Sequence, residues 1–324
     1  MKAAVLKQTG TAPVYDDFPD PVANGDHQLV ISMKAASVKN LDKARAAGTH
    51  YASYTKLPVV TGIDGVGILA DGTPVYAQGI SGTIAEKAII DKEQYIVLPG
   101  GLDLVIAAAL PNALLGSAMA FRYRARLRAG QTVLINGATG VTGIMAVQLA
   151  KLMGAKRVIA TGRNTRQLEK AAALGADETV SLTQADTIIT EQIKQLQAQT
   201  HIDIVLDYLW GKPMALILDA FRGSTVHHTA GKVKVVTAGA MAGDALPVSS
   251  AALRSADIEL MGSGFGSLSP ADFEAFNKNM LPEMFERAAA GQLKIDIDTE
   301  PLKNIEAAWN KPLDAGKRLV IEIS

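Results

Sequence analysis

The stretch that decides the fold is Val133-Leu134-Ile135-Asn136-Gly137-Ala138-Thr139-Gly140-Val141-Thr142-Gly143, continued by Ile144-Met145-Ala146-Val147-Gln148-Leu149-Ala150. An apolar run, three glycines within seven residues and an amphipathic run predict a strand, a tight turn and a helix. In that order the first turn of the helix aims its unpaired N–H groups at the glycine-rich turn, the place a dinucleotide pyrophosphate occupies in a doubly wound sheet. A Walker phosphate loop is excluded, because Gly143 is followed by Ile144 and Met145 rather than by Lys and Ser or Thr.

With Gly140 and Gly143 as the last two glycines of a dinucleotide fingerprint, the first position is Ala138. Gly140 lets the backbone approach the pyrophosphate and Gly143 lets the helix pack on the strand, while Ala138 asks for a slightly different turn. Ala138, Thr139, Gly140, Val141, Thr142 and Gly143 are therefore the candidate pyrophosphate residues. One strand later the chain reads Ala160-Thr161-Gly162-Arg163-Asn164, with Arg166 close behind. An NAD site usually has Asp or Glu there for the ribose 2′-hydroxyl, whereas a 2′-phosphate is repelled by that charge and held by Arg. Gly162, Arg163, Asn164 and Arg166 thus point to NADP(H), against the plainer reading of two arginines on a solvated helix start.

From Val133 onward short strands alternate with longer helices. Strands are expected at 157–161, 179–181, 202–207, 232–237 and 258–262, and helices at 165–174 and 187–199. Parallel crossovers of this kind build an α/β doubly wound sheet. The first hundred residues differ, with Gly, Pro and Asp punctuating short apolar runs such as 28–33 and 65–69, the pattern of a separate β-rich domain. A polar helix-prone segment at 270–291 and strands at 295–297 and 318–321 read as a return to that first domain. The expected division is 1–112, 113–264 and 265–324.

Lys plus Arg equals Asp plus Glu at 32 each, with no dense basic run, so a nucleic-acid partner is not expected and a small molecule is. The chain has no cysteine, which excludes disulfides, thiolate chemistry and cysteine-ligated zinc. Of five histidines only His227-His228 cluster, and adjacent side chains diverge, so they read as a solvated loop and no metal site is expected. Residues 104–121 are apolar but contain Pro111-Asn112, and are read as two packed helical pieces rather than a membrane span. Residues 1–6 lack a signal-peptide core, and the expected compartment is the cytoplasm.

Several collinear segments resemble the zinc-free quinone oxidoreductases, the zeta-crystallin-like branch of the medium-chain dehydrogenase/reductase superfamily. They are Met1-Lys2-Ala3-Ala4-Val5, Thr61-Gly62-Ile63-Asp64-Gly65-Val66-Gly67, Gly82-Thr83-Ile84-Ala85-Glu86, the glycine-rich turn, Leu174-Gly175-Ala176-Asp177, Val205-Leu206-Asp207 and Gly316-Lys317-Arg318-Leu319-Val320. The resemblance implies a Rossmann domain for NADP(H) beside a GroES-like β-rich domain, and a homodimer paired through the strand at 258–262. Zinc-dependent members carry Gly-His-Glu where this chain has Gly62-Ile63-Asp64, so the resemblance implies metal-independent, NADPH-dependent reduction of quinones or α,β-unsaturated carbonyls. A 2-enoyl thioester or alkenal reductase is the alternative enzyme, and a non-catalytic NADPH-binding sensor the alternative of another class.

The same resemblance assigns further contacts. Ser117 falls where relatives place a small hydroxyl against the cofactor. Ala238 and Gly239 follow a strand and line the nicotinamide pocket, and Trp210, unusual at its position, either shapes that pocket or packs. Relatives supply an Asn and an Asp before the first domain's helix, and a pocket Tyr nearby. Here Asp42 aligns, but Lys39 takes the Asn place with Asn40 next to it, and Tyr51 approximates the tyrosine. Lys39 either donates to a developing enolate or is exposed, and Tyr51 is either a donor or a surface aromatic.

Overall fold

The computed structural model describes residues 1–222 and 231–324, which form two compact units. The first comprises Met1–Asn112 and Asn277–Ser324, the second Ala113–Phe276. The second unit thus runs past residue 264, where the sequence reading begins its return. His227 and His228 lie outside the described residues.

In the first unit β1 (Lys2–Leu6) pairs with β2 (Val14–Asp17) on one side. β3 (Gln28–Val38) leads into α1 (Asn40–Ala47), and β4 (Val59–Val60) covers the other side of β1. Then come β5 (Asp64–Ile68), β6 (Pro74–Gly79) and β7 (Lys87–Val97), joined antiparallel in that order. β3 pairs with β5, and its first half also pairs with β7, Gln28 against Asp91 through Ser32 against Lys87, which closes the four strands on themselves. Alternation makes this possible: Ile31, Met33 and Ala35 point into the core while Val30 and Ser32 face out.

α2 (Leu104–Met119) is one helix with Pro111 inside it, continued by a π-helical turn at Ala120–Ala125, which corrects the expectation of two pieces. Its apolar residues, Ala107 to Leu110 and Ala113 to Leu114 among them, are fully buried, and burial on that scale outweighs the one hydrogen bond that proline forfeits. With the π-helical turn the segment Leu104–Ala125 is long and apolar enough to cross a membrane, but 67% of its most apolar window is buried within the fold.

The second unit holds β8 (Thr132–Asn136), α3 (Val141–Leu152), β9 (Arg157–Gly162), α4 (Thr165–Ala173), β10 (Glu178–Ser181) and α5 (Asp186–Gln199). It continues with β11 (Ile204–Asp207), α6 (Gly211–Ala220), β12 (Val233–Thr237), α7 (Ser250–Ser255) and β13 (Ile258–Gly262). These six strands are all parallel in the order β10-β9-β8-β11-β12-β13. The order reverses between β8 and β11, the switch point at which such sheets bind ligands. β8, β9 and β11 are buried along their whole length, as central strands covered on both faces must be.

The expected helix at 270–291 is α8 (Pro270–Ala275), a π turn at Phe276–Met280 and α9 (Leu281–Ala289), interrupted just before Pro282. β14 (Asp296–Pro301), α10 (Ile305–Trp309) and β15 (Lys317–Glu322) complete the chain, β14 and β15 extending the barrel sheet beside β3.

Candidate functional site

At the switch point the sequence builds a tight cradle. Asn136 ends β8, Gly137 turns at φ 92°, and Gly140 is the N-cap of α3 with no side-chain cap, so the first-turn amides face outward. A Cβ on Gly143 would lie 2.4 Å from the Gly137 carbonyl oxygen and 2.6 Å from Ala138 Cα, so α3 can start this close to β8 only with glycine there. A Cβ on Gly140 would meet nothing within 4 Å, which leaves its surface open to a ligand. Ala138 is buried, and Thr139, Val141 and Thr142 are half-buried around the turn. These residues fit a pyrophosphate.

Gly162 at the end of β9 closes on the same turn, since a Cβ there would lie 2.2 Å from Thr139 Cγ2. No carboxylate follows it; Arg163 and Arg166 are exposed, and Asn164 caps α4 by accepting the Gln167 N–H at 3.1 Å. Asn164 therefore has a structural task whatever else it touches.

Beneath the cradle lies a polar network that the sequence reading missed. Thr161 Oγ1 donates to Asn136 Oδ1 and Asn136 Nδ2 to Asp207 Oδ1, both at 2.7 Å. The fully buried Asp207 carboxylate also accepts the N–H groups of Leu209 at 3.0 Å and Trp210 at 3.1 Å. Burial pushes the Asp207 pKa up, and these donors act against it. The signal for this network was an Asn, a Thr and an Asp each at the carboxyl end of an apolar strand. Ala238 joins it by donating its N–H to the Asp207 carbonyl at 2.7 Å, and a Cβ on Gly239 would press on the Tyr208 carbonyl at 2.9 Å. Ser117 is buried and donates to the Leu114 carbonyl at 3.0 Å. Burial pushes the neighbouring Tyr208 phenol well up, with Ser117 opposing.

In the first unit, the side chains expected to touch substrate are placed very differently from one another. Lys39 is 2% exposed. Its Nζ donates to Ser37 O and Asp64 Oδ1, each at 2.8 Å, with Ser37 Oγ at 3.3 Å and Asp42 Oδ2 at 3.4 Å. Asp42 is buried and caps α1 by accepting the Lys39 N–H at 2.9 Å. Burial alone pushes the Lys39 pKa down, but Asp42 and Asp64 outweigh it and hold the ammonium above its ordinary value. Arg318, buried nearby, donates to Asn112 Oδ1 at 3.1 Å, and burial pushes its pKa down against the pull of Asp64 and Asp42. Asn40 is exposed at the start of α1, and Tyr51 is 86% exposed with its ring on His50, centroids 4.1 Å apart. The structure thus gathers Lys39 and Asp42 with Asp64 and Arg318, and leaves Asn40 and Tyr51 outside that cluster. The Lys39 N–H donors are all committed to protein oxygens.

Residues 141–283 match the zinc-binding dehydrogenase family. Over 98% of its length the chain is 26% identical to the "Probable NADPH-dependent quinone reductase tdiC" of Emericella nidulans, 99% of which is covered. The quinone oxidoreductase from Thermus thermophilus, solved with its NADPH complex, superposes with a TM-score of 0.77 at 26% identity, covering 99% of this chain and 100% of that one. This chain belongs to the medium-chain dehydrogenase/reductase superfamily, in its quinone-oxidoreductase-like branch. Within that superfamily, 49% of the chain is also 32% identical to the chloroplastic NADPH-dependent alkenal/one oxidoreductase of Arabidopsis thaliana, over 46% of that protein. Among the described residues the metal in the family's name finds no ligand set. The chain has no cysteine, and among the described residues no three His, Asp or Glu side chains gather to hold an ion.

Proposed function

We propose that this protein is an NADP(H)-dependent oxidoreductase that reduces quinones or α,β-unsaturated carbonyls without a metal. One observation carries the cofactor assignment: β9 ends at Gly162, jammed against Thr139, and is followed by exposed Arg163 with no carboxylate in the ribose position. A 2′-phosphate there meets a guanidinium and no opposing charge. The relatives' printed names, NADPH-dependent quinone reductase and alkenal/one oxidoreductase, support the same cofactor and leave quinone and enone as the two acceptor classes.

When bound, NADPH supplies the hydride, and what the chain adds is binding and orientation. The first-turn amides of α3 hold the pyrophosphate, Arg163 holds the 2′-phosphate, and the Asp207 network fixes the loops at the ends of β8, β9 and β11. Lys39 acts as a positioning residue that anchors α1, its donors spent on Ser37, Asp42 and Asp64, while Asp42 commits Oδ2 to the Lys39 N–H and keeps a buried Oδ1 without a protein partner. The proposed compartment is the cytoplasm, and the proposed assembly a homodimer through β13.

Steady-state NADPH oxidation with a small quinone and with a 2-enal tests the proposal. Arg163→Glu is expected to raise the NADPH KM by about tenfold or more, the worth of one charge-assisted contact, and to leave the NADH KM nearly unchanged. Equal effects on both cofactors overturn the 2′-phosphate assignment. Tight NADPH binding with no oxidation by any acceptor overturns the enzyme in favour of a sensor.

A further inference from the structure

α1 ends at Gly48, which takes φ 77° in the left-handed region, and the Thr49 N–H donates back to the Ala44 carbonyl at 3.1 Å. The chain then makes a tight turn over residues 50–53. The Ser53 N–H donates to the His50 carbonyl at 3.0 Å, the His50 N–H to Ser53 Oγ at 3.2 Å, and the Ala52 N–H to His50 Nδ1 at 3.1 Å. The last of these joins a side chain to the amide two residues on, the bond with which Asn and Asp make turns, but here the acceptor is a ring nitrogen. A ring nitrogen accepts only while it carries no proton.

The turn is also held from α1. Arg45 Nε donates to the Ala52 carbonyl at 2.9 Å, its guanidinium lies 4.5 Å over the Tyr54 ring, and Tyr54 packs against the core of the β-rich unit. His50 is half-buried, and the Tyr51 side chain, 86% exposed, lies on its ring with centroids 4.1 Å apart and planes at 34°. A side chain so exposed takes its position from the imidazole beneath it. The ionisable groups packed on the turn are Arg45 from α1 and the Tyr51 and Tyr54 phenols, and among the described residues no carboxylate pairs with His50.

We propose that His50 is a proton-operated latch on this turn, holding the Ala52 amide and the Tyr51 ring while Nδ1 is free of a proton and releasing both when Nδ1 takes one. Protonation puts an N–H where the accepting lone pair was, so the Ala52 N–H loses its partner and the imidazole can rotate with the ring that lies on it. Histidine is the side chain that changes charge between about pH 5 and about pH 8, so the latch is closed at the alkaline end of that range and open at the acid end. The latch itself stands on the geometry of the turn. Its catalytic consequence rests on the proposed reductase activity: with Tyr51 serving the acceptor, opening raises the acceptor KM and leaves the NADPH KM unchanged.

The test is NMR on the isotope-labelled wild-type protein across that range, reading the Ala52 amide, the His50 ring protons and the coupling that an N–H···N bond transmits between Ala52 N and His50 Nδ1. The Ala52 amide is expected to titrate together with the His50 ring, and the coupling to be present at the alkaline end and lost at the acid end. In His50→Asn, whose Oδ1 accepts from the same amide and does not titrate, Ala52 should keep one chemical shift throughout. Hydrogen exchange at Ala52 should match between the two proteins at the alkaline end and be about two- to tenfold faster in wild type at the acid end, the worth of one hydrogen bond. A wild-type Ala52 amide that keeps one shift throughout, or one that titrates equally in His50→Asn, overturns the latch. An acceptor KM that rises equally on acidification in wild type and His50→Asn overturns the service of Tyr51 to the acceptor and leaves the latch standing. Absence of turnover with every acceptor overturns the reductase activity without touching the NMR result.

Discussion

Lys39 follows Ser37-Val38 and precedes Asn40-Leu41-Asp42, a polar setting in which a lysine is ordinarily solvated, yet it is among the most buried side chains of the molecule. Two carboxylates make this tolerable, and only one of them, Asp42, is near in sequence; Asp64 arrives on β5. Sequence reading left Lys39 open between proton donor and exposed residue, because the partner that commits it is 25 positions away. Removing the ammonium strands two buried carboxylates, so Lys39→Met is expected to cost about 3–5 kcal/mol in urea unfolding. The pH dependence has a definite sign. The native ammonium keeps its proton to higher pH than the unfolded chain, whose lysines titrate near about 10.4. Its stabilisation is complete below that value and disappears as pH rises through the native pKa. Wild-type Tm should therefore fall more steeply than that of Lys39→Met above about pH 10.4.

At the scale of elements, the two glycines that open α3 do different work. Gly143 meets backbone and Gly140 meets open space. Gly143→Ala is expected to destabilise the protein by roughly 1–3 kcal/mol, because the clashing atoms cannot rotate away. Gly140→Ala should stay within about 0.5 kcal/mol of wild type in unfolding and still weaken NADPH binding in calorimetry. Both glycines were visible in the sequence; which one carries the packing required the approach of Gly137 and Ala138. α2 makes the converse point. Pro111 reads as a break, but the apolar residues on either side of it are buried, and their burial keeps one helix through the proline.

At the scale of the whole molecule, β13 is paired among the described residues only on its β12 side, and its Glu259, Leu260 and Gly262 are exposed, Leu260 at 36%. An unpaired edge of this length invites a second strand. If two copies pair there, Leu260→Lys is expected to convert a dimer to a monomer in light scattering while NADPH affinity holds. A wild-type monomer overturns the proposed assembly.

The parallel sheet and the superfamily were readable from the chain itself, since strand, glycine-rich turn and helix follow each other within eighteen residues and β13 was bounded to the residue. Local order suffices there because apolar periodicity and turn chemistry act over short spans. The barrel closure of β3 on β7, the burial of Lys39 between Asp42 and Asp64, and the Thr161-Asn136-Asp207 chain under the cradle were decided by tertiary structure alone. Each joins residues far apart in sequence. Whether a charge or an amide is exposed, paired or spent depends on what the fold brings to it.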